Sequence, residues 1–73
     1  MDTKRMKLEG HWQEAKGRMR SIWGELTDDE LDEARGAWDR LVGTIRRKTG
    51  ESIEKVESTL DEIADALETE PAR

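Results

Sequence analysis

Histidine and serine are the residue types in this chain that could support nucleophilic catalysis. A serine hydroxyl becomes a nucleophile when a histidine within hydrogen-bond reach takes its proton. The 73-residue sequence has one histidine, His11, which would have to serve Ser21, Ser52 or Ser58. No glycine-rich oxyanion loop or strained nucleophile turn accompanies any of them. We therefore expect no catalytic residue and no enzymatic activity.

Metal and cofactor sites are equally unsupported by the residue pattern. His11 has no second histidine and no cysteine with which to form a ligand set. Five carboxylates cluster in one segment, but they lack the alternating ligand spacing and central glycine of a calcium loop. They are Asp28, Asp29, Glu30, Asp32 and Glu33. The glycines are too widely spaced for a phosphate-binding loop. We expect no metal, no cofactor and no small-molecule substrate.

Basic side chains offer the remaining chemistry, which is attraction to an anionic partner. Two clusters could form one interaction surface together with two mid-helix glycines: Lys16, Arg18, Arg20, Arg46, Arg47, Lys48, Gly17 and Gly43. The surface could bind nucleic-acid phosphates, although a net charge of −5 opposes this. The simpler interpretation is solvated helix faces. Likewise, each glycine is either a tolerated surface residue or a point where another backbone approaches closely.

The six glycines define an internal repeat that positions these residues. They lie at 10, 17 and 24 and again at 36, 43 and 50, so that the two triplets are offset by 26. The same offset aligns Trp12 with Trp38, and Met19-Arg20 with Ile45-Arg46. A repeat of this kind predicts two related structural units. We assign hairpins to 4–34 and 36–68.

Each unit has the pattern of a helix, a stop and a second helix. In the first, apolar residues recur at steps of three and four, and Gly24 is predicted to end the helix with a positive φ. Thr27 and Glu30 then form a capping box. In the second, Gly50 supplies the stop and Ser52 the cap of the last helix. Residues 69–73 are predicted to fray after the last apolar position.

The apolar stripes predict the core. In the first predicted helix the apolar stripe includes Met19 and Ile22, and in the last it includes Ile53 and Val56. Ala34 and Leu67 are also predicted to face inward. The predicted core proper is Leu8, Trp12, Ala15, Met19, Trp23, Leu26, Leu31, Trp38, Leu41, Val42, Ile45, Val56, Leu60 and Ile63.

The fold class that follows is all-α, a single domain over 1–73 built as a small bundle of four helices in two crossed helical hairpins. An alternative is a three-helix bundle in which residues 28–48 form one continuous helix, because the apolar stripe keeps to one face throughout. We favour a break near Arg35-Gly36, since the repeat begins each long helix at a glycine.

Composition limits the possible disulfides, membrane association and cellular location of the chain. Charged residues make up 42% of the chain, the mean hydropathy is −1.00, and there is no cysteine for a disulfide. Residues 1–24 and 34–48 are basic, whereas 25–33 and 49–73 are acidic. The helix at 4–23 could lie on a membrane surface, but so small a domain needs the same stripe for its core. We expect no membrane span and a cytoplasmic location.

Three segments resemble the CsbD-like family of bacterial general-stress proteins. They are GHWQEAKG at 10–17, WGELTDDEL at 23–31 and RLVGTI at 40–45, continued by Thr49-Gly50. The resemblance spans roughly 4–66 and departs at Trp38, where a charged residue is common, and at Thr49, where an aromatic often stands. It implies a small cytoplasmic stress protein with four helices in two crossed hairpins, and it implies no catalytic residue or cofactor.

Two hypotheses of function follow from these observations. One is a non-catalytic stress-response protein with a protective or protein-interaction role, through an unknown protein partner or self-association. The other is a nucleic-acid-binding stress protein that uses the basic helix faces.

Overall fold

The computed structural model describes the backbone of residues 3–69 and the side chains of residues 6–67. Within this part of the chain the regular structure is helical, which confirms the all-α prediction. The helices are α1 (Thr3–Gly10), α2 (Trp12–Ile22), α3 (Asp28–Glu33), α4 (Trp38–Thr49) and α5 (Ile53–Thr69). Thr69, predicted to fray, is the last helical residue, and the rest of the predicted tail lies outside the described residues.

The first long helix is interrupted at His11, which separates α1 from α2. His11 has φ −129° and ψ 45°, outside the helical region. Its N–H still donates to the Lys7 carbonyl at 3.2 Å, and its carbonyl accepts from the Ala15 N–H at 2.8 Å. Gly10 precedes the interruption, and glycine has a lower helix propensity than any residue except proline. The structure thus has one more helix than the four we predicted.

The break between α3 and α4 decides against the three-helix alternative. Gly36 has φ +82°, a left-handed conformation that glycine adopts without steric cost. Ala37 is extended, and its N–H donates to the Ala34 carbonyl at 3.1 Å to close a turn. Residues 28–48 are therefore not one continuous helix. Each tryptophan helix begins two residues after its glycine, α2 after Gly10 and α4 after Gly36.

The helix ends confirm three predictions and contradict one. Thr27 and Glu30 form the predicted capping box, and the Ser52 hydroxyl accepts from the Lys55 N–H at 3.2 Å. Gly50 ends α4 in the left-handed conformation at φ +78°. Gly24, however, does not have a positive φ, so that prediction is wrong. The chain leaves α2 through Trp23 instead, whose N–H donates to the Met19 carbonyl at 2.8 Å.

The core lies along α5, which packs against α1, α2 and α4. Every predicted core residue is buried except Trp38, which is partly buried at the edge. Ala34 and Leu67 are buried as expected, and Ala64 joins them. The apolar periodicity was wrong at two helix ends, since Ile22 is 53% exposed and Ile53 is 42% exposed. Ile22 lines an open groove between α2 and α5, which no other described element fills.

Equivalent positions of the two repeat units meet in the fold. The carboxylate of Glu9 accepts from the guanidinium of Arg35 at 3.0 Å, and these residues are 26 positions apart. Trp12 and Trp38, also 26 apart, line one small cavity beside Gly36. The offset found in the sequence therefore corresponds to contact in space at the start of each unit. The division into hairpins 4–34 and 36–68, and their crossing, stays a prediction.

Candidate functional site

Lys16 does not lie on a basic surface. Its residue exposure is 4%, and its ammonium group donates to the Asp32 carboxylate at 2.8 Å. The indole N–H of Trp12 donates to the same oxygen at 2.9 Å. These two hydrogen bonds, the one from Lys16 foremost, hold the pKa of Asp32 below its ordinary value. The group joins α2 to α3. The sequence predicted Trp12 as a core residue, which the structure confirms, but did not identify Asp32 as the partner of Trp12 and Lys16.

Two further cations of the predicted surface also bind α3. Arg20 pairs with Asp28 at 3.1 Å, and Lys16 lies 3.8 Å from the same carboxylate. From the other side, Lys48 on α4 pairs with Glu30 at 2.7 Å. The Lys48 hydrogen bond holds the pKa of Glu30 below its ordinary value. The acidic helix α3 is thus bound between basic residues of α2 and α4, which compensates the charges of Lys16, Arg20 and Lys48.

Arg18 lies on a different side of the molecule. It is half-buried and pairs with Glu14 at 3.5 Å. With Ile22 it lines a shallow groove between α2 and α5, and Ile63 and Glu62 form the opposite wall. The structure therefore does not bring the α2 cluster and the α4 cluster together into one face.

Arg46, Arg47 and Gly43 do lie together. With Gly50 and Glu51 they line an open depression on the side of α4 that faces away from the core. Both arginines are exposed, and no ion pair with another described residue engages either of them. A Cβ built at Gly43 would lie 3.9 Å from the Arg47 guanidinium, an ordinary contact. The glycine therefore leaves the depression open without being required by packing.

Arg40 belongs to the same surface, and our sequence analysis missed it. It stands three positions before Gly43 and seven before Arg47, spacings that place residues on one helix face. It is exposed and has no ion pair within the described residues. Helical periodicity alone could have identified it. We call Arg40, Gly43, Arg46, Arg47 and Gly50 the α4 outer face.

Gly17 and His11 are exposed on the other long helix. A Cβ at Gly17 would meet nothing within 4 Å, so no segment of the described chain approaches it. His11 is exposed as well. Among the described residues, no group of three or more histidine, aspartate or glutamate side chains is arranged to hold a metal ion. Within the same range, no helix is long and apolar enough to cross a membrane.

Comparison with known proteins gives a consistent result. The CsbD-like family model matches residues 6–58, a shorter span than the resemblance noted above. A UPF0337 protein of Pseudomonas aeruginosa is 35% identical over 60 residues, covering 82% of this chain and 92% of that protein. A UPF0337 protein of Bordetella pertussis is 38% identical over 56 residues, covering 77% and 85%. The UPF0337 protein YjbJ of Salmonella typhimurium is 40% identical over 48 residues, covering 66% and 69%. No solved structure matches significantly.

Proposed function

Since this chain belongs to the CsbD-like family, which is associated with the bacterial stress response, we propose that it is a non-catalytic stress protein acting in the cytoplasm by direct contact with other proteins. Its role is to keep those proteins from aggregating when water is scarce or temperature is high. The observation that carries the proposal concerns the basic side chains. Several of them form ion pairs that stabilise the fold, whereas the arginines of the α4 outer face form none with described residues.

The structural ion pairs support the absence of catalysis. An active site needs charged groups that are free to act on a substrate. Here Lys16 and Asp32 are bound to each other, and Glu30 is bound to Lys48. His11 is exposed, and in the described part of the chain no nucleophile hydrogen-bonds to it. These ion pairs stabilise the fold, so the exposed charged surface is the part of the molecule available for function.

The surface chemistry supports a protective contact role. A charged fraction of 42% keeps the chain hydrated, and the absence of cysteine avoids oxidative cross-linking. The arginines of the α4 outer face provide cations for acidic surfaces of other proteins, because guanidinium forms paired hydrogen bonds with carboxylates. A protein of this kind would keep other proteins apart without chemically altering them or itself.

An aggregation assay tests this proposal. The purified protein should lower light scattering by a heat-labile enzyme during heating, and should preserve its activity through drying and rehydration. The control is an equal mass of an inert helical protein with similar net charge. If both proteins protect equally, or neither protects, the proposed role is wrong.

Nucleic-acid binding is a second candidate, and the α4 outer face is the observation that favours it. Arg40, Arg46 and Arg47 form the one described cluster of cations that the fold does not neutralise. Binding through three phosphate contacts would lower the logarithm of the affinity by about 3 for each tenfold rise in salt. Gel shifts with duplex DNA and with RNA at low salt test this. Absence of any shift would exclude the candidate.

A further inference from the structure

The α4 outer face needs an explanation that helix stability does not give. Cations in the last turn of a helix interact well with the helix dipole, which accounts for Arg46 and Arg47. Arg40 is the third residue of α4, near the positive end of the dipole, where a cation is unfavourable. Its position is therefore not a stabilising one within this chain, and that points to a role in contact with something else.

The contrast with the other cations sharpens this point. Lys7, Lys16, Arg18, Arg20, Arg35 and Lys48 each pair with an acidic residue of the chain. Arg40, Arg46, Arg47 and Lys55 have no ion pair with a described residue, even though the chain has an excess of acidic residues, and of these four the arginines all lie on α4. Arg46 and Arg47 line one depression with Gly43, whose missing side chain lets another surface come close to the α4 backbone.

Carboxylates fit this face better than a phosphate chain does. Glu51 lies in the same depression, and Asp39 is exposed next to Arg40. A nucleic acid carries a charge every few ångströms and would bring phosphates against these carboxylates and against the net charge of −5. Two carboxylates on a helix can pair with the arginines and bring fewer negative charges against Glu51 and Asp39 than a phosphate chain does, while a second copy carries the same net charge of −5.

The chain itself presents such a helix surface. Glu54 is exposed and Glu57 is partly exposed, three positions apart on α5, and no ion pair with a described residue engages either. No ion pair joins them to the arginines of the α4 outer face in the same molecule. In a second molecule their charge is complementary to that face.

We propose that the protein self-associates head to tail, with the α4 outer face of one copy bound to Glu54 and Glu57 on α5 of the next. Bound head to tail, the copies make a heterologous contact, which leaves one free surface of each kind at the ends of an open assembly and none in a closed ring. Growth beyond the dimer is therefore expected. Because exposed ion pairs contribute little individually, the association is weak and depends on high protein concentration. It does not depend on the protective role proposed above.

Sedimentation velocity of the full chain tests the contact. Between about 0.05 mM and about 2 mM protein at low salt, the weight-average sedimentation coefficient should rise without reaching a dimer plateau. At about 1 M salt, where the Debye length is about 3 Å, it should return to the monomer value. A plateau at dimer, or association that survives the salt, overturns the proposal.

Charge-reversal variants locate the two surfaces. Arg40→Glu/Arg47→Glu and Glu54→Lys/Glu57→Lys should each remain monomeric, and an equimolar mixture of the two should associate again. All four positions are free of described ion pairs, so circular dichroism should show both variants folded. The matched control is Glu25→Lys/Glu33→Lys, which changes the net charge equally at two exposed positions outside α4 and α5, and it should associate like the unaltered protein.

Three results would overturn the assignment. In the first, the control variant loses association as fully as the test variants. In the second, the mixture fails to associate. In the third, the unaltered protein stays monomeric throughout, and a shift of duplex DNA by the α4 outer face would then make nucleic acid its partner. The aggregation assay uses the unaltered protein with a heat-labile enzyme, so the protective role is tested separately.

Discussion

At the residue scale, the contact among Lys16, Asp32 and Trp12 is the most specific feature of the molecule. A buried ammonium loses its hydration, and here one carboxylate, bound also by an indole N–H, compensates for that loss. The second repeat unit has no equivalent, since Val42 stands at the position of Lys16 and Ser58 at that of Asp32. The two units therefore use the same helix pattern with different interactions, polar in one and apolar in the other.

We expect Asp32→Asn to destabilise the protein more than Lys16→Met does. The first change leaves the buried ammonium without its closest anion, whereas the second leaves a carboxylate that is half exposed to water. Removing one partner of an ion pair costs most when the charge left behind is buried, so Lys16→Met should have the smaller effect on the free energy of unfolding. Urea denaturation measures both, with Asp29→Asn as the exposed control. The reverse order would contradict a structural role for the pair.

The lowered pKa values of Asp32 and Glu30 predict loss of stability in acid. A carboxyl whose pKa is lower in the folded state than in the unfolded state stabilises the fold above its unfolded pKa, about 4. That contribution disappears as the pH falls through the lower, folded value. Thermal unfolding followed from pH 7 to strongly acidic pH should show little change until about pH 5 and a decline below it. The decline should be shallower in Asp32→Asn and Glu30→Gln, and an unchanged slope in both variants would contradict this account.

At the element scale, α3 is a short helix that depends on its neighbours. It has six residues, fewer than an isolated helix needs, and the Thr27 capping box satisfies its first amides. Basic residues of α2 and α4 hold it from both sides, and Leu31 and Ala34 attach it to the core. The glycines act at the same scale, since Gly36 and Gly50 allow the chain to turn at each end of α4.

Alanine substitutions at the glycines should have opposite effects. Gly50→Ala should destabilise the protein by about 1 kcal/mol, because a side chain is strained at φ +78°. Gly17→Ala should stabilise it by about 0.5–1 kcal/mol, because the backbone is helical and the new Cβ meets nothing within 4 Å. Chemical denaturation of the two variants, with Gly24→Ala as a control without positive φ, provides the check. Stabilisation by Gly50→Ala would show that the turn is not left-handed.

At the scale of the whole molecule, α5 connects the elements that precede it. The family model ends at residue 58, yet Leu60, Ile63, Ala64 and Leu67 are all buried. These residues lie on the helix that packs against α1 and α2 as well as α4. The fold therefore depends on residues beyond the part of the chain that the family model matches.

Shortening two aliphatic side chains on α5 should reduce stability by different amounts at a buried and at an exposed position. Leu60→Ala should cost about 2–5 kcal/mol, because Leu60 is fully buried and its removal leaves a cavity. Ile53→Ala removes a side chain that is 42% exposed and should cost under about 1.5 kcal/mol. In so small a domain the first loss is a large part of the total stability, so a melt of Leu60→Ala should begin near ambient temperature. Equal effects of the two changes would contradict the central position of α5.

Local rules acting on the sequence determined most of the secondary structure. The capping residues Thr27 and Ser52, the left-handed Gly50 and the apolar stripes all predicted features that the structure confirms, because each depends on neighbours within one or two helical turns. The same stripes failed at Ile22 and Ile53, where burial depends on whether another element is present.

The tertiary structure alone decided which charges remain available for function. Lys16, Arg18, Arg46 and Lys48 belong to two basic clusters in the sequence, and nothing in their spacing shows which of them an acidic residue neutralises. Asp32 reaches Lys16 from sixteen positions away and Glu30 reaches Lys48 from eighteen, contacts that exist only after α3 is packed. A salt bridge depends on distance in space, which periodicity along the chain does not specify. The fold therefore left Arg46, together with Arg40 and Arg47, as the cations of α4 that have no ion pair with a described residue.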